Sequence, residues 1–339
     1  MLGWVLVAGL YADGWAHGHV PGLETFFTPW HAVLYGSFVL LAAWSGVLVL
    51  RRLSSVRRWR DAVPAGYGGA WVGIGVFAAG GLADMTWHIA FGVETGLSAL
   101  LSPTHLVLLA GGLLLLSPPL RAQPSRAPRS GWPAVLSLSA SVALVAFFLS
   151  YVSVFTDPGA VVTVLAVPEG APGHREAELP AVAGLGGYLV TTLLLVVPLL
   201  YLYRRTRLPG GAVTALVAAV AVPGAVLSDL EVVAPALAAV AGAAVLDLTL
   251  FLRRRQPPAP AVAVAGLLPL LVWAGQLSGL AGTGRLAWPT ELWLGVVVLT
   301  ALLAVLTALL SQPPLRRRDV EDRTLTAVDH QDLEVRRTS

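Results

Sequence analysis

The chain has 339 residues, of which 56% are hydrophobic and 12% are charged, and its mean hydropathy is +0.75. Soluble domains carry about 25% charged residues, so this composition excludes an ordinary soluble protein and predicts an integral membrane protein. The formal net charge is only +3, so no nucleic-acid partner is expected. The chain has no cysteine, which excludes disulfides and thiolate metal sites.

Apolar stretches long enough to cross a bilayer, which takes about 20 residues, predict ten helices. They lie at 1–17, 29–50, 66–90, 102–120, 132–155, 181–203, 211–230, 232–252, 261–280 and 289–311. The predicted fold class is therefore all-α, a multi-pass protein of the cell membrane whose partner is the lipid bilayer.

The basic residues predict how these helices are oriented. All 22 of them are arginine, and if the ten spans alternate in direction, only Arg175 and Arg285 fall on the side opposite to the rest. Because basic residues accumulate in cytoplasmic loops, both termini are predicted to be cytoplasmic.

Composition also predicts how the chain is divided. Residues 1–120 form a predicted four-helix unit, and 121–131, rich in Pro, Ser and Arg, form a cytoplasmic linker. Residues 132–311 form a six-helix unit, and the charged tail 312–339 is predicted to be cytoplasmic and disordered.

An acidic and histidine-bearing pattern occurs twice in the first unit. In each copy an Asp stands four residues before a His, a Glu-Thr pair follows, and a hydroxyl residue and a Pro lead into a second His. The copies are Asp13, His17, Glu24 and His31, and Asp84, His88, Glu94 and His105. They predict that the first four helices are a duplicated helical hairpin with its motifs on the non-cytoplasmic side.

The spacing gives this pattern a chemical meaning. Residues at i and i+4 lie on one face of a helix, about 5–6 Å apart, so each Asp/His pair can reach one ion. A Pro in the first turn of the next helix would bring the later His back toward that pair. The predicted metal ligands are Asp13, His17, His31, Asp84, His88 and His105.

Two imidazoles and a carboxylate suit copper, zinc or iron, with positions left open for water or substrate. Glu24 and Glu94 are predicted to orient the imidazoles or to relay protons. The sequence leaves open whether the two sets form two mononuclear sites or one dinuclear site.

Residues 10–110 resemble the C subunit of the copper membrane monooxygenases, the particulate methane and ammonia monooxygenases. The resemblance lies in Asp84 to His88 (Asp-x-Thr-Trp-His), in Phe27 to His31 (Phe-Thr-Pro-x-His) and in the doubled Asp-x3-His followed by a later His. It implies a copper protein in which Asp84, His88 and His105 match one of that subunit's two neighbouring metal sets, and Asp13, His17 and His31 match the other. It further implies a copper-dependent oxidoreductase that acts on a small apolar substrate, with additional membrane subunits as partners.

Other interpretations of the same residues stay open at this point. An acidic vestibule with Asp/His pairs also suits a cation or proton transporter or channel. Facing histidines such as His31 and His105 suit a bis-histidine haem. The plainest alternative is that each residue is an interfacial side chain with its head in water.

Three features outside the motifs also carry expectations. Asp247, an acid inside a predicted span, is expected to pair with Arg253 to Arg255 near the inner surface. Trp15 and Trp30 are expected in the interfacial aromatic belt. Residues 156–180 are predicted to form an irregular outer loop.

Overall fold

The structure is a computed structural model that describes residues 1–20, 26–56, 58–92, 96–123 and 131–312. Within these ranges all regular secondary structure is helical, which confirms the all-α class. Residues 124–130 of the predicted linker and the predicted tail beyond residue 312 lie outside the described residues.

The helices are numbered in chain order. The first seven are α1 (Leu2–His19), α2 (Pro29–Leu53), α3 (Trp59–Ala62), α4 (Gly68–Phe91), α5 (Gly96–Leu100), α6 (Pro103–Leu116) and α7 (Pro118–Arg121). The others are α8 (Trp132–Phe148), α9 (His174–Arg205), α10 (Ala212–Leu227), α11 (Val233–Leu252), α12 (Ala261–Gly282) and α13 (Thr290–Leu310).

In the described part of the chain six helices, α2, α4, α9, α11, α12 and α13, are long and apolar enough to cross a membrane, which indicates a multi-pass membrane protein. The apolar helices α6, α8 and α10 are shorter, with 14, 17 and 16 residues. A helix lies at each of the ten predicted positions, and the number of helices that cross the bilayer stays a prediction beyond these six.

Small residues allow the helices that carry the two motifs to approach their partners closely. A Cβ at Gly9 of α1 would lie 3.2 Å from the Cα of Leu34 in α2. A Cβ at Gly111 of α6 would lie 2.6 Å from the backbone nitrogen of Phe77 in α4. Close backbone approach of this kind is typical of helix pairs in membranes, where small residues line the interface.

Helix α8 joins the motif-bearing helices to the rest of the bundle. The hydroxyl of Tyr11 in α1 donates a hydrogen bond to the carbonyl of Ala143 in α8 at 2.9 Å. The Tyr11 ring also meets Phe147 edge-on, with ring centroids 5.2 Å apart. Buried Leu, Ala and Phe residues of α8 therefore belong to the same apolar cluster as Leu6 and Phe77.

Asp247 has a structural role that differs from the expected pairing with arginine. Its carboxylate accepts hydrogen bonds from Val213 N at 3.3 Å, from Thr214 N at 2.7 Å and from Thr214 Oγ1 at 2.6 Å. These groups belong to the first turn of α10, whose free N–H groups need acceptors. The acid is thus a cap supplied by α11, and the prediction of an arginine partner is wrong.

The stretch 156–180 is more ordered than predicted. A 3-10 turn covers Gly159–Val161, and α9 already begins at His174. The nitrogen Nδ1 of His174 also bonds to the carbonyl of Val167 at 2.8 Å, which ties the start of α9 to the preceding segment. The irregular part is therefore shorter than the sequence indicated.

Candidate metal centre

The first set is formed where α1 and α2 meet. Asp13 and His17 lie one turn apart on α1, and the hydroxyl of Thr28 accepts a hydrogen bond from the backbone N–H of His31 at 3.1 Å, which caps α2. With Pro29 in the first turn, this cap sets where α2 begins. His31 Nε2 then lies 3.4 Å and His17 Nδ1 lies 3.7 Å from Oδ2 of Asp13.

The second set has the same construction on α4 and α6. The hydroxyl of Ser102 accepts a hydrogen bond from the backbone N–H of His105 at 3.3 Å, with Pro103 opening α6. His105 Nε2 lies 3.3 Å from Oδ1 of Asp84, and His88 Nε2 lies 3.6 Å from Oδ2 of the same carboxylate. In each set the ligand-type atoms lie within 4.8 Å of one another, so each set could hold a metal ion.

Main-chain oxygens hold three of the histidine rings in a defined tautomer. The Nδ1 atom bonds to a carbonyl in His31 (Phe26 O, 2.7 Å), in His88 (Gly92 O, 3.3 Å) and in His105 (Ala99 O, 2.5 Å). A carbonyl oxygen can only accept, so Nδ1 carries the proton and Nε2 is left with its lone pair. This is the usual arrangement around a metal-bound imidazole.

The distances between Nε2 and the carboxylates distinguish a direct hydrogen bond between the two groups from a metal ion that both groups bind. A charge-assisted N–H···O hydrogen bond is about 2.7–2.9 Å long, whereas the three Nε2 contacts are 3.3–3.6 Å. Two ligands of one tetrahedral ion, each bound at about 2.0–2.1 Å, lie about 3.4 Å apart. The spacing therefore fits a shared metal ion better than a direct proton bridge.

The burial of both carboxylates strengthens this argument. Asp84 is 1% exposed and Asp13 is 7% exposed, and Oδ1 of Asp13 is buried without a hydrogen-bond partner among the described residues. No arginine of the described part of the chain forms an ion pair with either carboxylate. Because a buried, unpaired carboxylate is costly, each set requires a proton or a cation.

The two sets differ in how well their side chains are oriented for binding a metal ion. Asp84 has an additional partner, because Thr104 Oγ1 donates a hydrogen bond to its Oδ1 at 2.9 Å. In the Asp13 set, Nδ1 of His17 faces both the carboxylate and the main-chain oxygen of Asp13, the latter at 2.9 Å. The ring of His17 must turn before its lone pair reaches an ion, so the Asp84 set is the better oriented of the two for metal binding.

The two sets are neighbours in one chamber. The ring centroids of His31 and His88 are 6.3 Å apart, and Phe26 stacks on His31 with centroids 4.8 Å apart. All six predicted ligands line a single cavity of about 420 Å³. The structure thus brings together all six residues that the sequence predicted as metal ligands, whereas Glu24 and Glu94 lie outside the described residues.

The cavity is polar at one end and apolar at the other. Along α1 the lining residues change from His17 and Asp13 to Leu10 and Leu6, and α4 continues from Asp84 to Phe77. Leucines of α6 and phenylalanines of α8 complete the apolar wall. A small apolar molecule would therefore fit beside the two sets.

Several residues of the chamber were missed by sequence analysis. Phe147, Phe148 and Leu227 come from helices that follow the linker, and no periodicity connects them to the motifs. A glycine next to Asp13, Gly14, is the sequence feature that could have indicated a close neighbour at this position. In the structure Gly14 faces the Phe147 ring. The phenol of Tyr35 also lies in the chamber, with its hydroxyl buried.

The C-terminal end of α1 is fixed to the segment between α10 and α11. Trp15 Nε1 donates a hydrogen bond to Oδ1 of Asp229 at 2.8 Å, and His19 Nε2 lies 2.7 Å from Oδ2 of the same carboxylate. Asp229 and Leu230 both have positive φ, of 52° and 63°, a conformation that side chains rarely adopt. Trp15 therefore has a specific partner and lines the cavity, in addition to any interfacial role.

The role of Thr104 can be tested by substitution. We expect Thr104→Val to weaken metal binding at the Asp84 set by about 10–100-fold, because the carboxylate loses the hydrogen bond that orients it. Thr86→Val is the matched control, since Thr86 is exposed and its hydroxyl bonds only to Leu82 O. Metal titration of both variants would measure the effect, and equal affinities would show that Thr104 does not orient the ligand.

Comparison of the chain with protein-family models, curated protein sequences and solved structures finds no match. Two neighbouring Asp/His/His sets, each able to hold a metal ion, lie in one cavity of a helical protein with candidate membrane spans.

Proposed function

We propose that the chain is an integral membrane metalloprotein that binds two metal ions, one at each Asp/His/His set. The observation that carries the proposal is the pairing of Nδ1–H groups tied to main-chain oxygens with Nε2 atoms that face a buried carboxylate at 3.3–3.6 Å. The proximity of His31 and His88 makes the two ions neighbours, so they would act together as a dinuclear centre.

The proposed arrangement in the membrane follows the arginine distribution. Ten spans would leave both termini in the cytoplasm and the metal centre on the non-cytoplasmic side of the cell membrane. Helices α1, α2, α4 and α6 would form a duplicated hairpin, since each set takes an Asp and a His from one helix and a His from the next of these four.

Copper is the proposed metal, with zinc and iron as alternatives. The donors are imidazole nitrogens and carboxylate oxygens, and the chain has no cysteine to select Cu(I) through thiolates. Imidazole suits all three metals, and copper has the highest affinity for a given nitrogen and oxygen site. The resemblance of residues 10–110 to the C subunit of copper membrane monooxygenases supports the same choice.

The proposed activity is oxidation chemistry on a small apolar substrate. The apolar half of the cavity supports it, because Leu10, Phe77 and Phe147 would surround a molecule placed next to the two sets. Such a substrate could enter from the bilayer, and the monooxygenase resemblance makes additional membrane subunits the expected partners. The protein would then be a monooxygenase-like oxidoreductase.

A cation or proton transporter is the second candidate, favoured by the two buried carboxylates, Asp13 and Asp84. Transport would also require polar groups that continue from this pair toward the opposite side of the membrane. The lining instead turns apolar at Leu6 and Phe77. The metalloprotein proposal therefore explains more of the cavity.

Elemental analysis of detergent-purified protein, before and after reconstitution with copper, zinc or iron, tests the proposal. We expect about two copper ions per chain, and His174→Gln, which removes a histidine that does not line the cavity, should leave this number unchanged. If no metal is retained under any of these conditions, the metalloprotein proposal is wrong. Cation or proton flux into proteoliposomes would then be the measurement that supports the transporter.

A further inference from the structure

A second cavity of about 420 Å³ lies at the arginine-rich end of the bundle, away from the metal centre. It is formed where α9 ends, α10 begins and α11 ends, and its lining includes Arg207, Arg253 and Arg254. The segment Pro257 to Ala259 forms one wall and is held in place by the Tyr203 hydroxyl, which donates a hydrogen bond to Ala259 O at 2.7 Å.

The three guanidinium groups have no acidic partner within the described residues. Arg253 Nε donates a hydrogen bond to Gln256 Oε1 at 3.0 Å, and the Arg254 guanidinium lies 4.0 Å from the centroid of the Phe251 ring. Neither contact neutralises a positive charge. The cavity therefore presents three cations with free hydrogen-bond donors, which is the chemistry that recognises a phosphate group.

Asp247, the one acid among the described residues of the lining, does not cancel this charge. Both oxygens of Asp247 are occupied by the N-terminal turn of α10, through Val213 N, Thr214 N and Thr214 Oγ1. An acid committed to a helix N-terminus is balanced by the positive end of the helix dipole. The site therefore keeps a net positive character.

The position of the cavity indicates where the phosphate comes from. Helices α9 and α11 are candidate membrane spans and the cavity lies at their ends, so in a bilayer it would lie near the level of the lipid headgroups. Phe251 is 47% exposed and Leu252 is 70% exposed beside it, so an apolar surface adjoins the arginines. Basic pockets between helices at this level bind the headgroups of anionic lipids.

We propose that this cavity binds the phosphate headgroup of an anionic phospholipid, with its acyl chains along Phe251 and Leu252. The arginines would supply the charge and Gln256 would hold Arg253 in position. This inference is independent of the proposed metal centre, because it rests on different helices and a different cavity.

Native mass spectrometry of the detergent-solubilised protein, titrated with phosphatidylglycerol or phosphatidylcholine, tests the inference. We expect about one phosphatidylglycerol to bind in preference to phosphatidylcholine, and Arg253→Gln/Arg254→Gln to weaken this binding by about tenfold or more. Arg207→Gln, a single change in an exposed connection, should weaken it less. Arg51→Gln/Arg52→Gln is the matched control, because it removes two exposed arginines at the end of α2 without touching the cavity.

Three results would overturn the inference. Equal binding of the two lipids would show that charge does not select the ligand, and equal loss in the control would show that only the overall charge matters. Displacement of phosphatidylglycerol by inorganic phosphate at equal concentration would show that the site takes free phosphate and not a lipid. Size-exclusion chromatography of each variant confirms that the bundle is intact, and if the double variant does not fold, Arg207→Gln decides between the outcomes.

Discussion

Replacing both His88 and His105 with glutamine is expected to remove one of two bound metal ions and to leave the other in place. These residues supply both nitrogen donors of the Asp84 set, with Nε2 atoms 3.6 Å and 3.3 Å from the carboxylate. Glutamine keeps a polar side chain of similar length but offers an amide oxygen, a weak ligand for copper. Affinity at this set should fall by more than the roughly 100-fold that follows loss of an outer partner.

The reciprocal variant, His17→Gln/His31→Gln, should lose the ion of the Asp13 set. Metal content by elemental analysis and the Cu(II) electron paramagnetic resonance spectrum are the measurements, with His174→Gln as the variant that should behave like the wild-type protein. Loss of both ions from either variant would mean that the six residues bind as one inseparable unit. Retention of both ions would contradict the assignment of these histidines as ligands.

Much of the candidate metal centre was predictable because its residues follow local rules. The spacing of Asp13 and His17 on one helix face, and the hydroxyl-Pro pairs before His31 and His105, depend only on helix geometry and capping. The structure contains both caps and brings the three residues of each set together. The existence of ten helical segments depended in the same way on local hydrophobicity.

The remainder of the chamber depends on contacts between distant parts of the chain. Phe147 reaches the site because α8 packs on Tyr11 and Gly14, and Asp229 reaches Trp15 from a turn with unusual backbone angles. The partner of Asp247 also depends on a distant contact, because it is the N-terminus of α10 and not the nearby arginines. Hydrophobic patterns show which segments are helical but not which of them meet.

Substitution of Gly111 by alanine is expected to lower stability and to weaken metal binding at the Asp84 set. In an exposed helical position this change stabilises a helix by about 1 kcal/mol, since alanine has the higher helix propensity. At Gly111 the added methyl would lie 2.6 Å from the backbone nitrogen and 2.8 Å from the Cα of Phe77. Backbone cannot move aside as a side chain can, so α4 and α6 must separate, at a cost of about 1–3 kcal/mol.

The effect on the metal follows from where the two helices cross. Asp84 and His88 lie on α4 and His105 lies on α6, so a wider crossing moves His105 away from the carboxylate that it faces at 3.3 Å. The Asp13 set uses α1 and α2 and should keep its ion.

Gly75→Ala on α4 is the matched control, because a Cβ there meets no atom within 4 Å. It should leave the melting temperature unchanged or raise it, while Gly111→Ala lowers it. Thermal unfolding in detergent and metal titration measure the two effects. If both alanine variants were equally stable but bound metal differently, the crossing of α4 and α6 would control the site without limiting stability. If neither variant differed from the wild-type protein, the close approach of α4 and α6 would not position the ligands.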